Sequence, residues 1–194
     1  MSGEMKSVHE FYRSLEVASR EQITAKLDGL YRRVFSAITI QRITGRGPLE
    51  GELQRKGIDV VVITQAGQRY HLDEKIRDTE YDDLLLEEYS DYELAKPGWL
   101  EAETELTDFV VYVKPSGVVY ILPYILLRNA YLRYKEEWLK KFGRRFAPNI
   151  GYKTSSIPVP WEELKRALCE EMAKHLQEGD ALLRGDNCEL KGGK

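Results

Sequence analysis

The sequence predicts an α+β protein in which a mixed central β-sheet is flanked by helices. Two observations support this prediction: amphipathic helical patterns near both ends of the chain, and short strand-like segments separated by turns between them. The 194 residues, 42% hydrophobic and 31% charged, suffice for one domain with a sizeable core. No repeat or long linker divides the chain. Residues 1–178 are therefore predicted to form a single domain, and the polar, glycine-rich residues 179–194 a flexible tail.

The N-terminal half contains a helical region, a strand and a hairpin. Apolar residues recur at three- and four-residue steps over residues 8–35, which predicts one long helix, or two with a break near Ser19. Residues 37–44 alternate like a strand, and the glycines and proline of residues 45–51 predict a turn or loop. Residues 58–64 and 69–76 flank the turn signal Gln-Ala-Gly-Gln and are predicted to pair as a hairpin.

The C-terminal half contains a second hairpin and two helices. Residues 107–114 and 118–124 are strand-like and are joined by Pro-Ser-Gly. Pro123 can open a helix, since a missing N–H costs little at that position. Residues 155–160 are predicted to be extended, and Pro160 to start a last helix.

Composition and motifs narrow the functional class. No run approaches the roughly 20 apolar residues of a membrane span, and the N-terminus does not resemble a signal peptide, so a cytoplasmic protein without membrane association is expected. Cys169 and Cys188 have no partners at metal-ligand spacing. Nucleotide-binding glycine motifs and serine or cysteine nucleophile motifs are absent. The net charge of −3 argues against a general polyanion binder but does not exclude a nuclease.

The first hairpin carries three charged residues among aliphatic side chains. If the turn is centred on Ala66, Asp59 and Asp73 lie opposite each other, with Cα atoms about 5 Å apart. Asp73 and Lys75 are two residues apart and share one face of their strand. A slip of one residue in the turn would break this arrangement.

Two opposed carboxylates repel each other, and a divalent cation would offset that repulsion. Mg²⁺ takes oxygen ligands from one or two carboxylates and completes its shell with water and substrate phosphate. A neighbouring lysine can orient or deprotonate the attacking water. These residues suit metal-assisted phosphodiester hydrolysis. The alternative is structural: Asp73 and Lys75 would form a solvated pair on an edge strand, and Asp59 would only begin its strand.

The pattern resembles the PD-(D/E)XK nuclease superfamily, including poorly characterised, often phage-associated members. The resemblance rests on Asp59 at the head of one strand and on Asp73-Glu74-Lys75 on the next. It covers roughly residues 20–130 and implies a restriction-endonuclease-like core. Asp59 and Asp73 would be metal ligands, and Lys75 would be catalytic beside them. Ile58 stands where many members have proline, and Glu74 could replace Asp73 as the ligand if a bulge intervened.

Other residues are weaker candidates for the same site. A helical acid often completes the family's metal site, and Asp28 is preferred to Glu21 for this role. Gln54 could contact a phosphate, Glu87 or Glu88 could line the cleft, and Trp99 could stack on an unpaired base. The basic stretch 133–145 could contact phosphates or could simply be a solvated helix end.

The resemblance therefore implies a Mg²⁺- or Mn²⁺-dependent endonuclease that acts on nucleic acid, with DNA as the expected substrate. It is compatible with a homodimer, because related nucleases often dimerise. A non-catalytic protein of the same fold that binds nucleic acid or assembles with other proteins is the main alternative. A phage or host interaction protein that acts through the Trp99 loop and the acidic link 77–83 is a third.

Overall fold

The computed structural model describes residues 20–44, 47–102 and 106–183, and it confirms the α+β class. The helices are α1 (20–34), α2 (Pro48–Arg55), α3 (Tyr124–Phe142) and α4 (Trp161–Leu183). The strands are β1 (Ala37–Arg42), β2 (Val60–Thr64), β3 (Arg69–Ile76), β4 (Asp83–Asp91), β5 (Lys96–Pro97), β6 (Phe109–Val113), β7 (Val119–Pro123), β8 (Arg145–Asn149) and β9 (Tyr152–Pro160).

The strands form two sheets. The first is mixed and has the order β1-β2-β3-β6-β7, in which only β3 and β6 run parallel. The second is antiparallel, with the order β5-β4-β9-β8. The chain leaves the first sheet after β3, forms β4 and β5, and returns as β6. The second sheet therefore begins beside the β2–β3 hairpin, and this placement positions the site described below.

The described residues form two apolar cores, and the first sheet contributes to both. Below the first sheet, α1 packs Leu27 and Tyr31 against Val60, Val62 and Leu72. The larger core joins the second sheet to α3 and α4. It is built from buried residues of β4, β6, β7, β9 and both helices, among them Leu86, Val110, Tyr131, Trp138, Ile157 and Leu164. The helix α3 contributes Leu127, Ala130, Tyr131 and Trp138 to this core.

Several element predictions need correction. A turn was expected over residues 45–51, but α2 begins at Pro48, whose fixed φ suits the first helical position. The short strands β5 and β8 were not predicted. The helix α4 continues through Gly179 to Leu183, since one glycine costs a helix only about 1 kcal/mol. The rest of the predicted tail, 184–194, and residues 8–19 with the break near Ser19 lie outside the described residues.

None of the helices in the described part of the chain is long and apolar enough to cross a bilayer.

Candidate active site

The β2–β3 hairpin has the register that its turn predicts. Gly67 takes a φ of 79° in the turn, a conformation that favours glycine, and the turn closes with Thr64 N–H donating to the Gln68 carbonyl at 2.9 Å. Val62 lies opposite Tyr70, and Val60 lies opposite Leu72. Asp59 precedes Val60 and Asp73 follows Leu72, so this register brings the two carboxylates to the same end of the hairpin.

Asp59, Asp73 and Lys75 line one cleft of about 880 Å³. The Asp73 side chain is 4% exposed, and its Oδ2 accepts from Lys75 Nζ at 2.8 Å. The Asp59 Oδ2 accepts the backbone N–H of Glu74 at 2.9 Å, which ties the start of β2 to β3. The three predicted residues are thus brought together. Lys75 and Asp73 share a strand face as the two-residue spacing requires.

Burial dominates the electrostatics of this group. It raises the pKa of Asp73 to about 7, although the charge and hydrogen bond of Lys75 act in the opposite direction. The charge of Asp59 and a hydrogen bond between the two carboxyl groups raise this pKa further. Burial would lower the pKa of Lys75, but Asp73, Asp59 and Glu87 outweigh it, and the pKa lies above its usual value. Lys75 is therefore an ammonium ion at neutral pH, and Asp73 gains or loses its proton near neutrality.

The opposite wall of the cleft comes from the second sheet. Glu87, on β4, lines the cleft, and burial raises its pKa against the opposing charge of Lys75 and a hydrogen bond from the Trp99 backbone. The ring of Trp99 lies 5.2 Å from Lys75 Nζ, a cation–π arrangement. The Lys75 ammonium is thus held between Asp73 and Trp99, with Glu87 in the same cleft.

Gly98 fixes the position of this wall. A Cβ on Gly98 would lie 2.3 Å from the carbonyl oxygen of Glu87 and 2.7 Å from its carbonyl carbon, and the Gly98 N–H donates to the Glu88 carbonyl at 2.8 Å. Backbone atoms cannot yield to such a contact as a flexible side chain can. The loop that carries Trp99 therefore approaches β4 closely only because residue 98 has no side chain.

Gly98→Ala is expected to destabilise the protein by about 1–3 kcal/mol through overpacking, and to move Trp99 away from Lys75. Thermal unfolding and the fluorescence of the tryptophans would measure the two effects. Gly29→Ala is a matched control, because a Cβ at Gly29 in α1 meets no atom within 4 Å. An unfolding midpoint for Gly98→Ala at or above that of the wild type would contradict the close approach.

Asp28 and Glu74 do not join this group. Glu74 points to the opposite face of β3, where it accepts from Tyr31 Oη at 2.6 Å and from Arg42 at 2.9 Å. Arg42 also donates to Asp28 at 2.7 Å. The two acids therefore form an ion-pair network between α1, β1 and β3. No bulge interrupts the described β2–β3 pairs, so strand alternation separates Glu74 from Asp73. Glu21 is exposed on α1 and does not line the cleft.

The weaker candidates divide in the same way. Gln54 and Glu87 line the cleft, and Gln54 Nε2 also donates to the Ile43 carbonyl at 3.0 Å. Trp99 lines the cleft and also packs against the larger core, and its stacking on a base stays a prediction. Glu88 faces away and is 1% exposed; it accepts two hydrogen bonds from Arg144, at 2.6 and 2.8 Å.

The cations of the basic stretch 133–145 are mostly paired within the chain. Their partners are carboxylates of neighbouring elements: Arg133 pairs with Glu171, Lys135 with Glu101, Lys141 with Glu163, Arg144 with Glu88 and Arg145 with Asp83. This stretch therefore stabilises the packing of α3 against α4 and the second sheet. Most of its positive charges are neutralised by these ion pairs and are therefore less available to bind a phosphate backbone.

The donor set of the cleft fits a magnesium-type ion that substrate helps to bind. Among residues 20–44, 47–102 and 106–183, no group of three or more His, Cys, Asp or Glu side chains is arranged to hold a metal. The adjacent carboxyl groups of Asp59 and Asp73 provide two hard oxygen donors. Mg²⁺ commonly uses one or two carboxylates and takes its remaining ligands from water and phosphate. These two residues would hold such an ion.

The fold and the cleft define an α+β protein with two carboxylates and a lysine converging between two sheets. Comparisons with protein-family models, curated proteins and solved structures gave no match for this chain. The resemblance to PD-(D/E)XK nucleases therefore stays a prediction from the sequence motif.

Proposed function

We propose that this protein hydrolyses phosphodiester bonds in nucleic acid with the help of Mg²⁺ or Mn²⁺, and that DNA is its substrate. The observation that carries the proposal is the convergence of Asp59, Asp73 and Lys75 in one cleft, with Lys75 Nζ 2.8 Å from Asp73. This group has the residue types and the spacing of the PD-(D/E)XK motif. A structural Asp73–Lys75 ion pair alone would not require Asp59, a second and half-buried carboxylate that makes no direct ion pair with the lysine, in the same cleft.

Each of the three residues has a proposed task. Asp59 and Asp73 would hold the divalent ion, and the hydrogen bond from the Glu74 N–H orients the Asp59 carboxylate. When bound, the ion would polarise the phosphate and supply a nucleophilic water at neutral pH. Because the pKa of Lys75 is raised, this residue acts as a cation that donates hydrogen bonds and does not act as a base. It would stabilise the charge that develops on the phosphate oxygens.

The energetic reason for placing a cation here is the cost of burying the Asp73 carboxylate. Its burial raises its pKa to about 7, and the charge of the half-buried Asp59 adds to that rise. A divalent ion would favour the ionised form of Asp73 and offset its repulsion with Asp59. The Lys75 ammonium alone does not return the pKa of Asp73 to its ordinary range, so a further cation or a proton would complete the charge arrangement.

Metal binding tests the proposal directly. Calorimetric titration with Mg²⁺ and Mn²⁺, with and without a short DNA oligonucleotide, is expected to show binding to the wild type and none to Asp59→Asn/Asp73→Asn. Glu74→Gln is the matched control, since it removes a carboxylate from the opposite face of the same strand and should bind metal normally.

Cleavage of single-stranded and duplex DNA should follow metal binding and stop in EDTA. Equal metal binding by the wild type and the double variant would refute the assigned ligands. DNA binding without cleavage under any metal condition would refute the enzymatic proposal and favour the non-catalytic alternative.

A further inference from the structure

Two further cations line the cleft, and they come from two different elements of the fold. Arg55 lies in the last turn of α2, on the wall that also carries Gln54 and Gly57. Lys96 lies in β5, on the wall that the second sheet contributes. Both side chains are exposed. The candidate metal ligands, Asp59 and Asp73, line the same cleft at the end of the β2–β3 hairpin.

Unlike the basic stretch 133–145, these two cations have no ion-pair partners among the described residues. Within the part of the chain that the structure describes, neither Arg55 nor Lys96 makes an ion pair within 4 Å. Lys96 acts on the pKa of Glu87, and Arg55 on that of Glu52, only through longer-range charge. A paired cation must first break its ion pair to bind a phosphate, whereas an unpaired one is available at once.

The charge pattern of the cleft requires such groups if a polyanion is to enter it. Asp59, Asp73 and Glu87 line the cleft. Glu101 also lines it and is already paired with Lys135 at 2.5 Å. A divalent ion and Lys75 would neutralise the phosphate that reacts. The phosphates that flank it would otherwise meet an acidic surface on a chain of net charge −3.

We propose that Arg55 and Lys96 bind the phosphates on the two sides of the reacting phosphodiester and so form the backbone-binding subsite of the cleft. The inference rests on the proposed function and adds to it which residues hold the substrate strand. Such contacts act on phosphate and carry no base specificity, so they set affinity and register and leave sequence preference unaffected.

The salt dependence of DNA binding tests this subsite. The probe is a fluorescently labelled single-stranded DNA oligonucleotide, with a duplex of the same sequence alongside, measured by anisotropy with Ca²⁺ in place of Mg²⁺ and with intact probe verified by gel. Arg55→Gln/Lys96→Gln is expected to weaken binding by about 10- to 100-fold and to reduce the slope of log affinity against log salt by about 1 to 2.

The control is Lys26→Gln/Lys140→Gln, which also removes two exposed positive charges, from α1 and α3, outside the cleft lining. It should keep the wild-type slope, and both double variants should keep the wild-type unfolding midpoint. If the wild type cleaves DNA and Arg55→Gln/Lys96→Gln keeps the wild-type salt slope, the phosphate-binding subsite is refuted while the proposed function stands. A wild type that binds neither probe at low salt would overturn the proposed function and the subsite with it.

Discussion

Asp73→Asn is expected to lower metal-dependent DNA cleavage by at least about 10³-fold, whereas Glu74→Gln should keep cleavage within about threefold of the wild type. The two acids are neighbours in the sequence, yet Asp73 faces the cleft and Lys75, and Glu74 faces Tyr31 and Arg42. An amide at residue 73 removes a charged oxygen donor from the cleft. An amide at residue 74 changes only a network on the other side of the strand.

Initial rates of cleavage of a defined DNA substrate over a range of Mg²⁺ concentrations would measure both effects, with circular dichroism to verify folding. The cleavage rate of Lys75→Gln should fall as that of Asp73→Asn does, because this substitution removes the cation that would face the phosphate. The assignment would be wrong if Glu74→Gln lost activity as severely as Asp73→Asn while remaining folded. Wild-type activity in Lys75→Gln would exclude its proposed part in transition-state stabilisation.

The hairpin and its register could be predicted because local chemistry determines them. The turn residues centre the hairpin on Ala66, and the period of two then assigns Asp59, Asp73 and Lys75 to one place. The same period predicts that Glu74 points away from the cleft, and in the structure it contacts Arg42 on the opposite face of the strand. The expectation that Glu74 and Asp28 could be metal ligands came from the family resemblance. For Glu74 it ran against the strand alternation, and the structure separates both acids from the cleft.

The second wall of the cleft could not be predicted, because it depends on contacts distant in sequence. Nothing local in residues 83–91 shows that β4 leaves the first sheet and pairs with β9, some 70 residues later. The position of Glu87 beside Lys75 follows from that pairing. The Pro-Gly-Trp segment does contain a local signal, since its glycine permits the close approach to Glu87, but the sequence does not identify the partner.

The basic stretch illustrates the same limit for charge. Its density of Lys and Arg suggests a phosphate-binding surface, but carboxylates on β4, α4 and the loop before β6 neutralise most of these charges in the folded chain. The sequence does not distinguish Arg55, which stands beside Lys56, or the single cation Lys96, because acidic residues flank both segments. Which cations are available to a ligand is a property of the tertiary structure, and charge density along the chain is a poor guide to it.

In the absence of metal, Asp73→Asn is expected to stabilise the protein at pH 8 by about 2–4 kcal/mol, a rise in the unfolding midpoint of about 5–10 °C. The pKa of Asp73 is about 7 in the folded chain, against an ordinary value of 3.8. Above pH 7 the Asp73 carboxylate is ionised in both the folded and the unfolded chain. Its burial then destabilises the folded chain by the full free energy that corresponds to the pKa difference. As the pH falls from 7 towards 3.8, the folded state takes up a proton that the unfolded state does not, and this cost declines. Lys75, whose pKa is raised above its ordinary value of 10.5, stays protonated throughout this range and adds no slope.

The advantage of Asp73→Asn should therefore be largest at pH 8, shrink through pH 6 and vanish near pH 4, as thermal unfolding at a series of pH values would measure. Adding Mg²⁺ at pH 8 should raise the midpoint of the wild type and leave that of Asp73→Asn unchanged, because an ion bound to the folded state stabilises it by mass action. An Asp73→Asn protein that is less stable than the wild type in EDTA at pH 8 would mean that the Lys75 ion pair outweighs the burial of the carboxylate. The site would then be a structural ion pair, stable without a cation. The sign of one stability difference thus distinguishes a cleft that requires a cation from one that does not.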